Sequence, residues 1–269
     1  MPSDVSREPR LWYLVPAAGV GSRMQADRPK QYLELSPGGC VLEATLATLK
    51  RALPEAGLCL VLGADDGYFT PSMVPWQDWL RADGGSERAD SVLAGLDCLS
   101  RHAHDDDLVL VHDVARPCVR EADIHALVAT ARRSADGAIL AAPASDTMKR
   151  AAPAGDSRPH GGGGGDGSGG DEERAPSISH TESRVGLWHA FTPQAFPLGL
   201  LRRALREALG ENPALITDEA SALEACGRAP VLVAAARDNL KITHPEDLAM
   251  ARLLLAAREA LPDSPRTSA

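Results

Sequence analysis

Short apolar runs alternate with amphipathic stretches along most of the chain. Runs with the length of buried strands lie at residues 11–15, 58–62, 108–111, 138–142 and 231–233. Between them, apolar residues recur every three or four positions, the spacing of one helix face, at residues 42–53, 92–99 and 124–131. Because parallel strands need crossover connections, this alternation predicts an α/β fold with a mostly parallel sheet.

The second half of the chain contains weaker helix signals. Residues 198–209 predict a short helix. Thr217, a hydroxyl cap followed by two acids, predicts the start of another helix, and Thr243 with Glu246 has the form of a capping box that opens the last one. The tryptophan-containing stretch that ends at Gly84 follows neither period, so we expect it to be irregular.

Residues 153–176 interrupt the pattern. This segment is rich in glycine and contains no large apolar residue, so it cannot bury enough surface to offset its chain entropy. We therefore predict a disordered surface loop, the glycine-rich insert. A phosphate-binding loop is the alternative, but no strand leads into the segment and no helix follows it at once.

Composition and charge narrow the classes of protein. The 269 residues have room for one α/β domain, and a formal net charge of −9 without a basic stripe argues against a nucleic-acid partner. No apolar run has the length of a membrane span, and residues 1–10 lack the apolar core of a signal peptide. The five cysteines are widely spaced, which indicates reduced thiols. We expect a cytoplasmic protein with no membrane partner.

The loop after the first apolar run has the composition of a phosphate-binding loop. Ala17, Ala18 and Gly19 let the backbone fold tightly, so that successive N–H groups can point at one anion, and Arg23 and Lys30 follow. A dinucleotide fingerprint would need a third glycine where a methionine stands, and a Walker loop would need a glycine before its lysine. A plain glycine turn with solvated cations remains an alternative.

A second polar cluster follows the run at residues 108–111. His112, Asp113 and Arg116 come directly after it, and the carboxyl ends of parallel strands share one edge of a sheet. Asp113 could hold a divalent metal that bridges phosphate oxygens, although a strand-end aspartate is often only a turn residue. No nucleophile motif accompanies His112 or His189, so structural roles are favoured for both. We expect the two polar clusters to form one site.

Seven stretches, in order, resemble the 2-C-methyl-D-erythritol 4-phosphate cytidylyltransferase family of the methylerythritol phosphate route to isoprenoids. They span most of the chain outside the tails and the glycine-rich insert: 15–23 with 29–32, 84–92, 111–117, 146–150, 186–190 with 192–194, 217–222 and 239–243. The resemblance implies a single Rossmann-like nucleotidyltransferase domain at residues 8–260, between tails 1–7 and 261–269. It also implies a protruding dimerisation arm at about 146–184, in which the insert is a departure from the family.

The resemblance further implies a reaction and its participants. CTP and 2-C-methyl-D-erythritol 4-phosphate would give 4-(cytidine 5'-diphospho)-2-C-methyl-D-erythritol and pyrophosphate, with Mg²⁺ required and a homodimer as the active form. The phosphate oxygen of the second substrate would attack the α-phosphorus of CTP. Since a phosphate monoester is already an anionic nucleophile at neutral pH, the protein needs mainly to position the substrates and neutralise charge.

The family roles transfer to this sequence by position. The implied catalytic residues are Arg23, Lys30, Arg184 and Lys241. The implied nucleotide-binding residues are Ala17, Ala18, Gly19, Gly85, Ser86, Arg88 and Ser91. The implied residues for the polyol phosphate are Asp113, Arg116, Thr147, Arg184, Thr192 and Lys241, with Asp113 also serving the metal. Ser86 stands where some relatives carry an acid, and the serine should be tolerated if main-chain groups read the base there.

Two other functions compete with this interpretation. A cytidylyltransferase for another polyol phosphate, such as ribitol 5-phosphate, shares the glycine loop, so the distinction depends on Thr147, Arg184 and Lys241. A nucleotide-binding protein without catalysis is the other alternative. Retention of both Arg23 and Lys30 argues against it, because binding alone needs fewer cations.

Overall fold

The computed structural model describes residues 7–19, 24, 27–153 and 176–260. The predicted catalytic residue Arg23 and nearly all of the glycine-rich insert and the two tails lie outside the described residues. The described chain forms two compact units, a main unit from residues 1–142 and 190–269 and a smaller unit from residues 143–189.

A seven-stranded sheet forms the centre of the main unit. The described strands are β1 (Leu11–Pro16), β2 (Glu34–Ser36), β3 (Gly39–Cys40), β4 (Gly57–Leu62), β5 (Leu80–Asp83), β6 (Leu108–Val111), β7 (Ala138–Pro143), β8 (Met148–Ala151), β9 (Ile178–Glu182), β10 (Trp188–Pro197) and β11 (Val231–Ala234). The order of the strands in the sheet is β11-β7-β10-β6-β1-β4-β5. Strand β1 pairs in parallel with β4 and β6, and β10 runs antiparallel to β6. The predicted α/β class with a mostly parallel sheet is confirmed.

Helices cover both faces of this sheet. They are α1 (Val41–Ala52), α2 (Arg88–Leu99), α3 (Glu121–Ala131), α4 (Leu198–Glu211), α5 (Glu219–Ala225) and α6 (Pro245–Ala260). Alternate residues of β1 point to opposite faces, so Tyr13 packs with α1 and α3 whereas Leu14 packs with α2, α4 and α5. Gly95 lets α2 approach closely, because a Cβ there would lie 2.9 Å from the Leu14 side chain. No helix among the described residues is long and apolar enough to cross a membrane.

Two strands of the seven-stranded sheet differ from the prediction. The stretch expected to be irregular contains β5, an edge strand whose alternating Leu-Arg-Ala-Asp sequence is too short for its period to be recognised. Strand β10 lies in a segment with no clear strand pattern, because prolines, a histidine and a threonine interrupt its apolar positions. Both strands gain their regular structure from pairing with the sheet.

Two helix starts also differ in their capping residues. The N-cap of α5 is Asp218 rather than Thr217, and its carboxylate accepts from the Ser221 N–H at 2.9 Å. In α6, which begins at Pro245, the third residue is Asp247, and its carboxylate accepts from the His244 N–H at 2.8 Å. Asp247 therefore takes the place that the sequence pattern assigned to Glu246, because the helix begins one residue later than the pattern predicted.

The smaller unit consists mainly of the antiparallel pair β8 and β9, which flank the glycine-rich insert. Side chains join the two strands: Lys149 Nζ donates to Thr181 Oγ1 at 2.6 Å, and Arg150 Nε lies 2.9 Å from Glu182 Oε1. Ile178 of β9 is 64% exposed. The smaller unit contains the stretch that the sequence assigned to an arm.

Candidate active site

A cleft of about 520 Å³ lies at the carboxyl ends of β1 and β6. It is lined by Pro16, Ala17, Ala18, Gly19, Lys30, Gln31, Gly85, Ser86, Glu87, Arg88, Ser91, Asp113, Val114, Ala115 and Lys241. Described residues of both polar clusters thus line the same cleft at this sheet edge, and their joint function as a binding site stays a prediction. Among the predicted residues of the main unit, Arg116 and Thr192 lie beside the lining and contact Asp113.

The glycine loop after β1 offers two backbone donors to the cleft. The sequence predicted that the Ala17 N–H would face a ligand. This N–H instead donates to the Val61 carbonyl at 2.7 Å, so it is not available to a ligand. The Ala17 carbonyl accepts from Gln31 Nε2 at 2.7 Å, and this buried glutamine therefore holds the loop against the Lys30 turn. The N–H groups of Ala18 and Gly19 make no hydrogen bond to another described residue.

The glycine pair after β5 lets a second loop approach the first. A Cβ at Gly84 would lie 2.3 Å from the Cβ of Ala18, and one at Gly85 would lie 2.3 Å from the Cβ of Asp90. Real Cβ contacts are never this short, so both positions need glycine. The pair thereby brings the N-terminus of α2, which carries partial positive charge, to the side of the cleft.

Serines and an aspartate order the start of α2. The Gly85 N–H donates to Ser91 Oγ at 3.1 Å, and Ser91 Oγ donates in turn to the Glu87 carbonyl at 3.1 Å. Asp90 accepts from the Glu87 N–H and from Ser86 Oγ. Ser91 thus shapes the loop, while the exposed Ser86 lines the cleft.

Asp113 is the charged centre of the cleft. Its two carboxylate oxygens lie 2.9 Å from Arg88 Nε and 2.8 Å from Lys241 Nζ, and Arg116 Nε lies 3.7 Å away. Burial opposes ionisation of this aspartate, but the cations Arg88 and Lys241 outweigh it and hold the pKa of Asp113 well below its usual range. The carboxylate is therefore ionised at neutral pH.

Glu219 pairs with Arg88 on the side away from Asp113. Both carboxylate oxygens of this buried residue accept from the guanidinium, Oε1 from Nη1 at 2.7 Å and Oε2 from Nη2 at 3.1 Å. Burial disfavours the charge on Arg88, but Glu219 and Asp113 together raise its pKa above the usual value. The sequence reasoning assigned Glu219 only to the first turn of a helix, because 131 residues separate it from Arg88.

Arg116 is held beside the cleft lining. Its Nη1 donates to the Asn239 carbonyl at 2.7 Å, and its guanidinium lies 5.3 Å from the ring centre of Phe191. Burial lowers the pKa of Arg116, although Asp113 opposes this effect. The side chain of Asn239 donates to the Thr192 carbonyl at 2.9 Å, which connects this segment to β10.

The hydroxyl of Thr192 orders the backbone at Asp113. Its Oγ1 accepts from the Asp113 N–H at 3.0 Å and lies 3.2 Å from Nδ1 of His112. Because the Arg116 carbonyl can only accept, His112 Nε2 carries the proton and Nδ1 accepts from Thr192. Burial lowers the pKa of His112 to about 4. The expected structural role of His112 fits this network, and the predicted substrate contact of Thr192 stays a prediction.

Two lysines from distant parts of the sequence meet in this cleft. Lys30 lies in a single helical turn, Lys30–Tyr32, and its Nζ donates to the Ile242 carbonyl at 3.0 Å. Lys241 precedes Ile242, whose N–H donates to the Ala115 carbonyl at 2.8 Å. These contacts bring the segments after β1, β6 and β11 together around Asp113.

The remaining predicted residues belong to the smaller unit. Thr147 and Arg184 are both exposed, and Arg184 Nη1 donates to the Ser145 carbonyl. Their predicted contacts with the polyol phosphate stay predictions.

The carboxylates of Glu87 and Asp113, both in the described part of the chain, line the cleft, and the sequence predicts that Asp113 serves the metal. Among the described residues, no group of three or more histidine, cysteine or acidic side chains could hold a metal ion. Asp113 could contribute a single oxygen ligand. This donor set fits Mg²⁺ only if phosphate oxygens and water complete the coordination, which is the usual arrangement for this ion.

Comparisons with family models, curated proteins and solved structures all point to the same family. The family model IspD, 2-C-methyl-D-erythritol 4-phosphate cytidylyltransferase, matches residues 11–156 and 170–257. The interruption at residues 157–169 falls within the glycine-rich insert. The 2-C-methyl-D-erythritol 4-phosphate cytidylyltransferase of Chromohalobacter salexigens is 53% identical and covers 93% of this chain and 92% of its own length. The same enzyme of Alteromonas mediterranea is 44% identical, with coverages of 92% and 93%.

A solved structure shares the fold and the family description. A crystal structure described as 4-diphosphocytidyl-2C-methyl-D-erythritol synthase has a TM-score of 0.73 and 34% identity, over 93% of this chain and 100% of that chain. The family model and the two relatives each match most of the chain. The chain therefore belongs to the 2-C-methyl-D-erythritol 4-phosphate cytidylyltransferase family.

Proposed function

We propose that this protein transfers a cytidylyl group from CTP to 2-C-methyl-D-erythritol 4-phosphate, in the synthesis of isoprenoid precursors. An oxygen of the polyol phosphate forms a bond to the α-phosphorus of CTP while the bond to the pyrophosphate group breaks. The observation that supports this proposal most strongly is the meeting of Lys30, Arg88, Asp113 and Lys241 in one cleft with the donors of the glycine loop.

The nucleotide side of the cleft is the glycine loop and the start of α2. The N–H groups of Ala18 and Gly19 donate to the triphosphate, while Lys30 and Arg23 stabilise the negative charge that develops during transfer. Gly85 and Ser86 contact the cytidine, and Arg88 stands beside them in an orientation set by its two carboxylate partners.

The polyol phosphate occupies the side of the cleft next to Asp113. Lys241 is 38% exposed at its side chain, so it can pair with an incoming phosphate as well as with Asp113. Asp113 accepts from the polyol hydroxyls, and Arg116 and Thr192 keep its carboxylate and backbone in place. By resemblance to the family, Thr147 and Arg184 of the arm serve the polyol phosphate site of the neighbouring subunit in a homodimer.

Magnesium is the cofactor that this chemistry calls for. Asp113 would hold the ion together with triphosphate oxygens and water, and the bound ion supplies positive charge that offsets the charge of the phosphates.

The active form in this proposal is a cytoplasmic homodimer that associates through the smaller unit. Several apolar side chains of that unit are exposed, and their burial against a second chain would remove apolar surface from water: Met148, Ile178, Val185, Leu187 and Trp188. All five cysteines have free thiols, as expected in a reducing compartment.

A substrate panel tests the proposed reaction. Pyrophosphate release and product mass are measured with CTP or ATP, each with 2-C-methyl-D-erythritol 4-phosphate, ribitol 5-phosphate or no acceptor, in the presence of Mg²⁺. We expect turnover only with CTP and the methylerythritol phosphate. Equal turnover with ribitol 5-phosphate would move the assignment to the alternative cytidylyltransferase, and CTP binding without turnover would favour the non-catalytic alternative.

A further inference from the structure

Gln194 is a buried polar residue of β10 that lies outside the cleft lining. It pairs in register with Val111, the last residue of β6, two positions before Asp113. Its side chain has both a donor and an acceptor, and both are used. Nε2 donates to Asp218 Oδ2 at 2.8 Å, and Oε1 accepts from the Ala220 N–H at 2.9 Å.

These two hydrogen bonds bracket Glu219. Asp218 is the N-cap of α5, and Ala220 is the second residue of that helix, so Gln194 holds the chain on either side of the glutamate. Glu219 in turn accepts two hydrogen bonds from Arg88. Arg88 lines the cleft and makes its remaining ion pair with Asp113.

Strand β10 therefore supports both carboxylates that orient Arg88. Thr192 accepts from the backbone of Asp113, and Gln194, two residues further along the same strand, fixes the helix start that carries Glu219. A displacement of Glu219 would turn the guanidinium of Arg88 without disturbing the glycine loop.

We propose that Gln194 is a positioning residue for nucleotide binding, which acts through Glu219 on the orientation of Arg88. The inference rests on the proposed function, in which Arg88 stands beside the cytidine of CTP. It concerns a residue that touches neither substrate, so it predicts an effect on CTP affinity that depends on the presence of Arg88.

The hydrogen bond between the Gln194 amide and the Asp218 carboxylate can be tested by exchanging these two groups between the two positions. Gln194→Glu replaces the donor to Asp218 by a second carboxylate, and we expect the KM and Kd for CTP to rise about tenfold, with kcat changed less than threefold. Adding Asp218→Asn restores one donor and one acceptor between the two positions. The double variant should recover CTP affinity to within about threefold of the original protein.

Two controls separate positioning from general damage. Gln77→Glu makes the same chemical change at an exposed residue outside the cleft and should leave CTP affinity and turnover unchanged. In an Arg88→Ala background, Gln194→Glu should cause no further loss of CTP affinity, because the residue through which it acts is absent. Thermal unfolding of every variant checks that the fold is kept.

The outcomes distinguish the inference from the proposed function. Unchanged CTP affinity in Gln194→Glu, or the same tenfold loss with and without Arg88, would overturn the inference while the original protein stays active. If the original protein neither binds CTP nor turns it over, the proposed function fails and the inference fails with it. Should Gln194→Glu not fold, Gln194→Met, which removes both hydrogen bonds without adding charge, takes its place in the same comparison.

Discussion

Charged side chains in the cleft are arranged around one ionised aspartate. Asp113 pairs with Arg88 and Lys241, so each of these cations already has a carboxylate partner before any phosphate arrives. Lys30 reaches the same cleft from another segment of the chain, and its Nζ donates to the Ile242 carbonyl, next to Lys241. We therefore expect the positive charge of Lys30 to stabilise the negative charge that develops on the phosphates during transfer.

At the residue scale, Lys30→Ala should lower turnover far more than it weakens CTP binding. We expect kcat to fall by roughly two decades or more, since the lysine acts mainly on charge that develops in the transition state. Steady-state kinetics and direct titration with CTP measure the two effects separately. Lys50→Ala, at an α1 lysine whose Nζ donates to the Pro54 carbonyl outside the cleft, serves as the matched control. Unchanged turnover in Lys30→Ala would remove the residue from its role.

At the element scale, the strands β1 and β6, which lead into the cleft, could be predicted because each is marked by an apolar run in the local sequence. Apolar runs and the polar residues that follow them are adjacent in the sequence, so Gly19 and Asp113 could be placed at one sheet edge without coordinates. Glu219 and Gln194 could not be assigned in this way, since their partners are distant in the chain. The hydrogen bond from Arg88 to Glu219 spans 131 residues, and nothing in either local sequence marks it.

The close approach of the loops after β1 and β5 gives a prediction for these two elements. Gly84→Ala should destabilise the protein by about 1–3 kcal/mol and raise the KM for CTP, because the added Cβ would lie 2.3 Å from the Cβ of Ala18 and push the glycine loop away. Urea unfolding and CTP kinetics measure these changes. Gly67→Ala, where a Cβ meets nothing within 4 Å, should leave both unchanged. Equal stability of the two variants would contradict the packing argument.

At the scale of the whole molecule, the main unit and the smaller unit are built differently. The main unit buries apolar residues on both faces of its sheet, whereas the strands of the smaller unit are largely exposed. Composition predicted the position of the glycine-rich insert, and the family model is interrupted within it. The dimerisation predicted for the arm depends on a second chain, so the structure of one chain leaves it a prediction.

Self-association should depend on the strands β8 and β9 of the smaller unit and not on the glycine-rich insert between them. Deleting residues 161–170 should leave the dimer and its activity near normal, because this stretch has no large apolar side chain to bury. Ile178→Asp, at an exposed apolar residue of β9, should weaken the dimer. Light scattering after size-exclusion chromatography, together with turnover, measures both. A monomeric deletion variant, or an unaffected Ile178→Asp protein, would contradict this assignment.

A crystal structure of the CTP complex would show whether the cleft around Asp113 binds the cytidine triphosphate. We expect triphosphate oxygens within hydrogen-bond distance of the Ala18 and Gly19 N–H groups and of Lys30 Nζ, with the cytosine on the side of Gly85 and Ser86. A nucleotide bound in another cavity, with this cleft empty, would contradict this expectation.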